Sequence, residues 1–198
     1  PTFRQALYVG YQKHRPAMAD DLVPQIAIVQ NVLEKMNIPI FEIDGYEADD
    51  LIGTLAFQSI QNSEVIIVSG DRDMLQLVNS HVKVFAPIIG LTKTIHYYEK
   101  SVKEKYGVKP SQIIDYKALV GDASDGYPGV SGIGPKTASG LLQKYETFEN
   151  LYQHLSDVPP KIAEKLATDA EQAALAKKLA TIAIDAPIAF DIEKCSFK

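Results

Sequence analysis

The chain has 198 residues, 46% hydrophobic and 23% charged, enough for one good core or two small lobes of an ordinary globular protein. One cysteine, Cys195, excludes an internal disulfide and a cysteine-rich zinc site and points to the reducing cytoplasm. No apolar run approaches the ~20 residues of a membrane span, and no segment reads as a signal peptide. The net charge of −5 argues against a nucleic-acid partner unless the acids are gathered in one place.

The opening "PTFRQALYVGYQKHRPAMADD" is basic and aromatic, lacks an initiator methionine and reads as an internal start within something longer. From Asp20 or Asp21 to Met36, Ile26, Val29, Leu33 and Met36 recur at helical spacing, with Pro24 tolerable in the first turn. "IPIFEI" reads as a strand, "DDLIGTLAFQSI" as a helix, and "EVIIVS" as a buried parallel strand. "HVKVFAPIIGLTKTIHYY" reads as two strands of a hairpin turning near Gly90. Beyond Gly107, helices are expected over 111–120, 135–144, 147–155, 159–167 and 170–183. The expected architecture is α/β over residues 1–108, a mostly parallel sheet flanked by helices with 1–18 leading into it, followed by a mostly helical lobe over 109–198.

Three acidic groups punctuate this order. "YEADD" supplies Glu47, Asp49 and Asp50 where a helix begins, and acids there complement the helix dipole. "SGDRD" supplies Asp71 and Asp73 at the exit of an apolar strand, where ligand sites of open α/β sheets lie. The plainer reading makes Asp73 a cap and Asp71 a turn residue. "GDASD" supplies Asp122 and Asp125 at i, i+3, aligned if the turn stays helical, or else a simple Asx turn before Pro128. If all three groups converge, like charges ~4 Å apart cost about 4 kcal/mol at an effective dielectric near 20. Protons or hard divalent cations, Mg²⁺ or Mn²⁺, relieve such a cluster. Set against the net charge, these seven acids leave the rest of the chain mildly basic.

"GVSGIGPKTASGLL" has the form of a helix-hairpin-helix turn. Gly132 and Gly134 permit close backbone approach, and the amides near Pro135 to Thr137, those of Lys136 and Thr137 among them, point outward where the next helix opens. With Lys136 and Thr137 they suit a phosphodiester backbone gripped without base reading; the plainer reading is an interhelical turn. Amides would hold DNA while acid-bound cations receive the scissile phosphate. His14, His81, His96 and His154 are scattered and form no ligand set.

The series "FR", "YEADD", "SGDRD", "GDASDGYPGVSGIGPKTA" and the terminal "TI-I-D-P" resembles, in order and over essentially the whole chain, the 5′–3′ exonuclease domains of bacterial DNA polymerases I, members of the flap endonuclease family. The resemblance implies a PIN-like nuclease core and a two-metal enzyme removing 5′ flaps, RNA primers and nicked 5′ ends. It implies a monomer fused to a polymerase domain. One ion would sit on Glu47, Asp49 and Asp50, the other on Asp71, Asp73, Asp122 and Asp125. The hairpin from Gly129 through Gly132, Ile133 and Gly134 to Lys136 and Thr137 would bind duplex DNA, with K⁺ on its carbonyls. Arg4, Lys13 and Arg15 would steer the 5′ end, with Tyr8 or Tyr11 either stacking on a base or packing internally. The family's first strand, with one aspartate, and a second aspartate before "FR" lie outside this sequence. In "YQKHR", Gln12 stands at the family's lysine position, so Lys13 would have to serve; Gly126 stands where asparagine is usual. The alternatives are a non-catalytic hairpin DNA-binding module, an inactive fragment, or a carboxylate-cluster ribonuclease, which would not need the hairpin.

Overall fold

The computed structural model describes residues 1–61, 63–89 and 92–196. Helices α1 (Phe3–Leu7), α2 (Val23–Lys35) and α3 (Ala48–Ser59) precede β1 (Val65–Val68), a 3₁₀ turn (Asp73–Leu77), β2 (Val82–Ile89) and β3 (Lys93–Tyr97). Then follow α4 (Glu99–Tyr106), α5 (Ile113–Val120), a two-residue ladder of β4 (Gly121–Asp122) with β5 (Tyr127–Pro128), α6 (Pro135–Tyr145), α7 (Phe148–Gln153), α8 (Pro160–Thr168) and α9 (Ala170–Ala180). The main sheet is mixed, in order β1-β2-β3: β1 runs parallel to β2 with Val65 opposite Val82, and β2 antiparallel to β3 with Val84 opposite Tyr97. The turn expected near Gly90 lies outside the described residues. Among the described residues, no helix is long and apolar enough to cross a membrane.

One core crosses both halves, from Ile67, Val82 and Val84 through Leu75 and Leu119 to Leu142, Leu151 and Leu166. α5 is its hub, because its buried Ile113, Ala118 and Leu119 are joined by a buried Asp115. That carboxylate accepts from the Phe148 amide at 3.0 Å and pairs with Lys177 at 2.7 Å, tying α7 and α9 to α5. A smaller cluster sets Tyr11 parallel to Tyr127, ring centres 6.4 Å apart, against Ala176 and Leu179 of α9. It pins the leading loop to the helical half.

Two expectations are corrected. "IPIFEI" is extended but unpaired: a strand exists through its ladder, and no neighbour flanks it among the described residues. Phe41 meets Phe190 edge-on at 6.1 Å instead. β1 is parallel as expected but buried on one face only. Its side chains alternate, so Ile67 enters the core while Ile66 and Val68 stay 63% and 64% exposed. α2 forms over the expected span with Pro24 in its first turn, yet none of its residues is buried. Ile26, Ile28, Val29 and Val32 on it stay about half exposed or more. α4 was not anticipated; it ends on Gly107, whose φ of 71° is the left-handed cap that glycine tolerates.

Candidate active site

The first acidic group sits where α3 begins, and its three members have different tasks. The Asp50 carboxylate is wholly buried. It accepts Arg4 Nη1 and Nη2, both at 2.8 Å, the Glu47 amide at 3.0 Å and the Ala183 amide at 2.8 Å. Burial alone would raise its pKa; the Arg4 and amide hydrogen bonds outweigh this and hold it below the usual carboxylate range. Asp50 is thus committed to Arg4 and the α3 cap and is withdrawn from the expected ligand set. Arg4 is corrected with it. Only 2% exposed, it also donates to the Leu179 and Thr181 carbonyls at 2.9 and 2.6 Å, so no face remains to steer DNA.

Glu47 and Asp49 face the other way. Glu47 accepts from the Tyr11 hydroxyl at 3.0 Å and from Thr2 Oγ1 at 3.1 Å. Burial, then the charges of Asp71, Asp73 and Glu47, push the Asp49 carboxyl up to about 7. At the exit of β1, Asp71 Oδ1 accepts the Asp73 amide at 2.9 Å, an Asx turn that opens the 3₁₀ segment and frees the Asp73 carboxylate. Asp71 is therefore the turn residue, as the plainer reading had it, while the Asp73 carboxylate does not cap the segment but pairs with Lys117. Burial pushes Asp73 up to about 6, against the opposing pull of Lys117 and with help from Asp71 and Asp122.

The third group rides on the β4–β5 turn. Gly121 ends α5 at φ 80°, and a Cβ there would lie 2.3 Å from the Gly129 amide. This close backbone approach folds the loop so that Asp122 and Asp125 stand beside the 3₁₀ turn. Asp122 accepts the Ser124 amide at 2.7 Å and Lys117 Nζ at 2.6 Å. Burial would raise it, but these bonds hold it below the ordinary range. The buried Asp125 takes Gln12 Nε2 at 2.9 Å and Arg15 at 2.8 Å, with the Tyr11 hydroxyl at 3.5 Å. Asp73, Asp122 and Asp125 bring oxygens within 4.8 Å of one another. A cleft of about 270 Å³ on the Glu47 and Asp49 side adjoins one of about 500 Å³ on the Asp73 and Asp122 side, and Asp71 and Arg15 line both.

Six carboxylates from three chain segments therefore face one trough, with Lys117 and Arg15 paired to them, Arg4 3.5 Å from Glu47 at its edge and Arg72 in its lining. The raised pKa values of Asp49 and Asp73 reflect burial first and the neighbouring carboxylates second. The all-oxygen donor set suits hard divalent ions, and the Lys117 ammonium, lodged between Asp73 and Asp122, stands in for one. Both acids titrate higher in the folded chain than at the ordinary 3.8, so the folded state binds more protons between about pH 4 and 7. Their contribution to stability consequently falls as pH rises through that window. Metal-free protein is expected to melt higher at pH 5 than at pH 8, and excess Mg²⁺ to shrink the difference; a melting series at the two pH values checks it.

Lys117 escaped the sequence reading. Its signal was a lone cation in the apolar helix "IIDYKALV"; two residues past Asp115 it projects about 200° away, out of the core and toward the acids. Of the two readings left open for Tyr11, the structure shows internal packing: it is buried and lies parallel to Tyr127. Lys13 is exposed and forms no ion pair among the described residues, while Gln12 and Arg15, 51% exposed, take the Asp125 carboxylate.

The hairpin follows within the same loop. Gly132, Gly134 and Lys136 are exposed, Thr137 half-buried, and α6 begins without a side-chain cap. Gly129 and Ile133 are corrected: both are buried, and the Ile133 amide donates to Val130 at 3.0 Å, so they anchor the turn from within. Side chains from α8 and the α8–α9 corner hold it: Asp169 accepts the Ser131 amide at 2.7 Å, Lys165 reaches the Gly132 carbonyl at 3.1 Å and Gln172 the Gly129 carbonyl.

The 5′–3′ exonuclease N-terminal resolvase-like domain matches residues 1–107, and the 5′–3′ exonuclease C-terminal SAM fold matches residues 108–198. The DNA polymerase I of Caldicellulosiruptor bescii is 45% identical over 96% of this chain and 23% of its own length. The 5′–3′ exonuclease of Buchnera aphidicola is 40% identical over 94% of this chain and 67% of its length. The chain thus spans about a quarter of the polymerases it matches. In fold it is similar to the T5 5′-exonuclease solved with zinc, at 22% identity and TM-score 0.75 over 90% of this chain and 69% of that one. It is likewise similar to a bacteriophage T5 flap endonuclease solved with DNA and metal ions, at 22% identity and TM-score 0.73, with the same coverage of both chains. With both halves matched, the chain belongs to the 5′–3′ exonuclease family.

Proposed function

We propose that the chain hydrolyses DNA phosphodiesters at 5′ flaps, nicks and RNA-primed ends, in primer removal and repair. It would do so as the monomeric 5′ nuclease module of a cytoplasmic DNA polymerase I. The observation that carries this reading is the meeting, within 4.8 Å, of Asp73 at the exit of β1 with Asp122 and Asp125 on the loop that continues into the hairpin. Glu47 and Asp49 would hold one ion, and Asp71, Asp73, Asp122 and Asp125 the other, each Mg²⁺ or Mn²⁺. Bound there, such ions supply an activated water and neutralise charge on the phosphate.

The chain's own residues do the rest. The Tyr11 hydroxyl, shared by Glu47 and Asp125, sets the spacing of the two halves of the trough. Arg15 offers the exposed side of its guanidinium to an incoming strand. The first-turn amides of α6, with Lys136 and Thr137, grip a backbone phosphate without reading bases. The Gly129 and Gly132 carbonyls already accept side-chain donors, so a K⁺ ion at the hairpin would have to displace Gln172 or Lys165.

The test is a labelled 5′-flap oligonucleotide incubated with the chain while Mg²⁺ or Mn²⁺ is titrated. Cleavage near the flap junction that EDTA abolishes is the expected result. Binding without cleavage at every metal concentration would instead favour a non-catalytic hairpin module. Lys136→Ala should weaken flap binding whatever the sequence and reduce the slope of log affinity against log salt by about one. An unchanged slope would remove Lys136 from the phosphate contacts.

A further inference from the structure

Lys117 leaves an apolar helix to meet two carboxylates from different segments. Its ammonium contacts Asp73 and lies 2.6 Å from Asp122, and its side chain is only 12% exposed. Both partners belong to the trio whose oxygens gather within 4.8 Å. Arg15 differs in being half-exposed and paired with Asp125 alone. An ammonium donates in three directions and accepts in none, so it draws carboxylate oxygens together much as a small cation does. It also carries the charge that repels one. A dication and this ammonium repel each other, and they cannot both take Asp73 Oδ1 and Asp122 Oδ2 at contact distance.

Building on the proposed metal-dependent reading, we infer that Lys117 is a built-in competitor for the divalent ion at the Asp73–Asp122 pair. It is a positioning residue. Without the ion it holds the two carboxylates at ligand spacing and offsets their repulsion. When the ion binds, it withdraws into the 500 Å³ cleft that it already lines with Tyr116 and Ser124. Removing its charge therefore has opposite effects on two measurable quantities: the metal-free chain loses stability and the ion binds more tightly. A purely structural lysine would move only the first.

The experiment uses the 198-residue chain, without DNA, as wild type, Lys117→Met and Lys117→Arg. Free Mn²⁺ is followed by electron paramagnetic resonance during titration, and melting is recorded with and without Mn²⁺. Lys117→Met should bind Mn²⁺ about tenfold tighter than wild type, melt lower without metal and recover with Mn²⁺. Lys117→Arg, which keeps the charge, should bind close to wild type. Equal or weaker Mn²⁺ binding by Lys117→Met, with wild type binding normally, overturns the inference and leaves the proposed function standing. An arginine variant that binds as tightly as the methionine variant overturns it equally. A wild-type chain that binds no Mn²⁺ overturns the proposed function itself, and this inference with it.

Discussion

Replacing Asp73 by alanine is expected to lower flap cleavage by on the order of 10³-fold or more while leaving flap affinity nearly unchanged. Asp73 has one oxygen on Lys117 and neighbours Asp122 and Asp125, so its loss removes a central donor of the trio. The hairpin proposed to grip DNA stands on α6 and on contacts from α8 and α9, none of which involves Asp73. The variant should also fold well. Burial pushes Asp73 up to about 6, so removing it relieves the cost of burying a charge and some repulsion from Asp71 and Asp122, while Lys117 keeps Asp122 as its partner. Single-turnover cleavage and flap binding in Ca²⁺ separate the two effects. Parallel loss of both would break the division between acid trough and hairpin.

Arg4→Ala is expected to destabilise the chain by about 3–5 kcal/mol, the cost of leaving a buried carboxylate without its partner. The pair is bidentate, Asp50 is wholly inaccessible, and two carbonyls lose a donor with the arginine. Arg4→Lys keeps the charge but loses the fork and should fall between. Urea unfolding midpoints measure this, with the slope unchanged. Wild-type stability combined with weakened DNA binding would return Arg4 to the entrance of the trough.

What the sequence made legible was the position of the acids along the chain, because strand exits and helix starts are readable from apolar periodicity. Asp71, Asp73, Asp122 and Asp125 fall where that reasoning puts them. It could not separate Asp49 from Asp50. One residue apart, they lie about 100° apart around α3, and only packing sends Asp50 inward to Arg4. Arg4 looked like a surface cation because nothing local announces a partner 46 residues away. "IPIFEI" has strand composition but no ladder among the described residues, and pairing is not a local property. Lys117 shows the converse, a cation whose role emerges only when two distant loops meet it. The hairpin glycines were read correctly as a turn, yet the burial of Gly129 and Ile133 depends on α5 and α9, which single-sequence patterns do not place.

The account rests on carboxylates from three segments forming one seat for divalent ions. Crystals soaked in Mn²⁺, with data collected at its absorption edge, test this most directly. Anomalous peaks are expected in coordination contact with Asp73, Asp122 and Asp125, and beside Glu47 and Asp49, with the Lys117 ammonium moved off Asp73. Full Mn²⁺ loading of the crystal with no peak in the trough would contradict it.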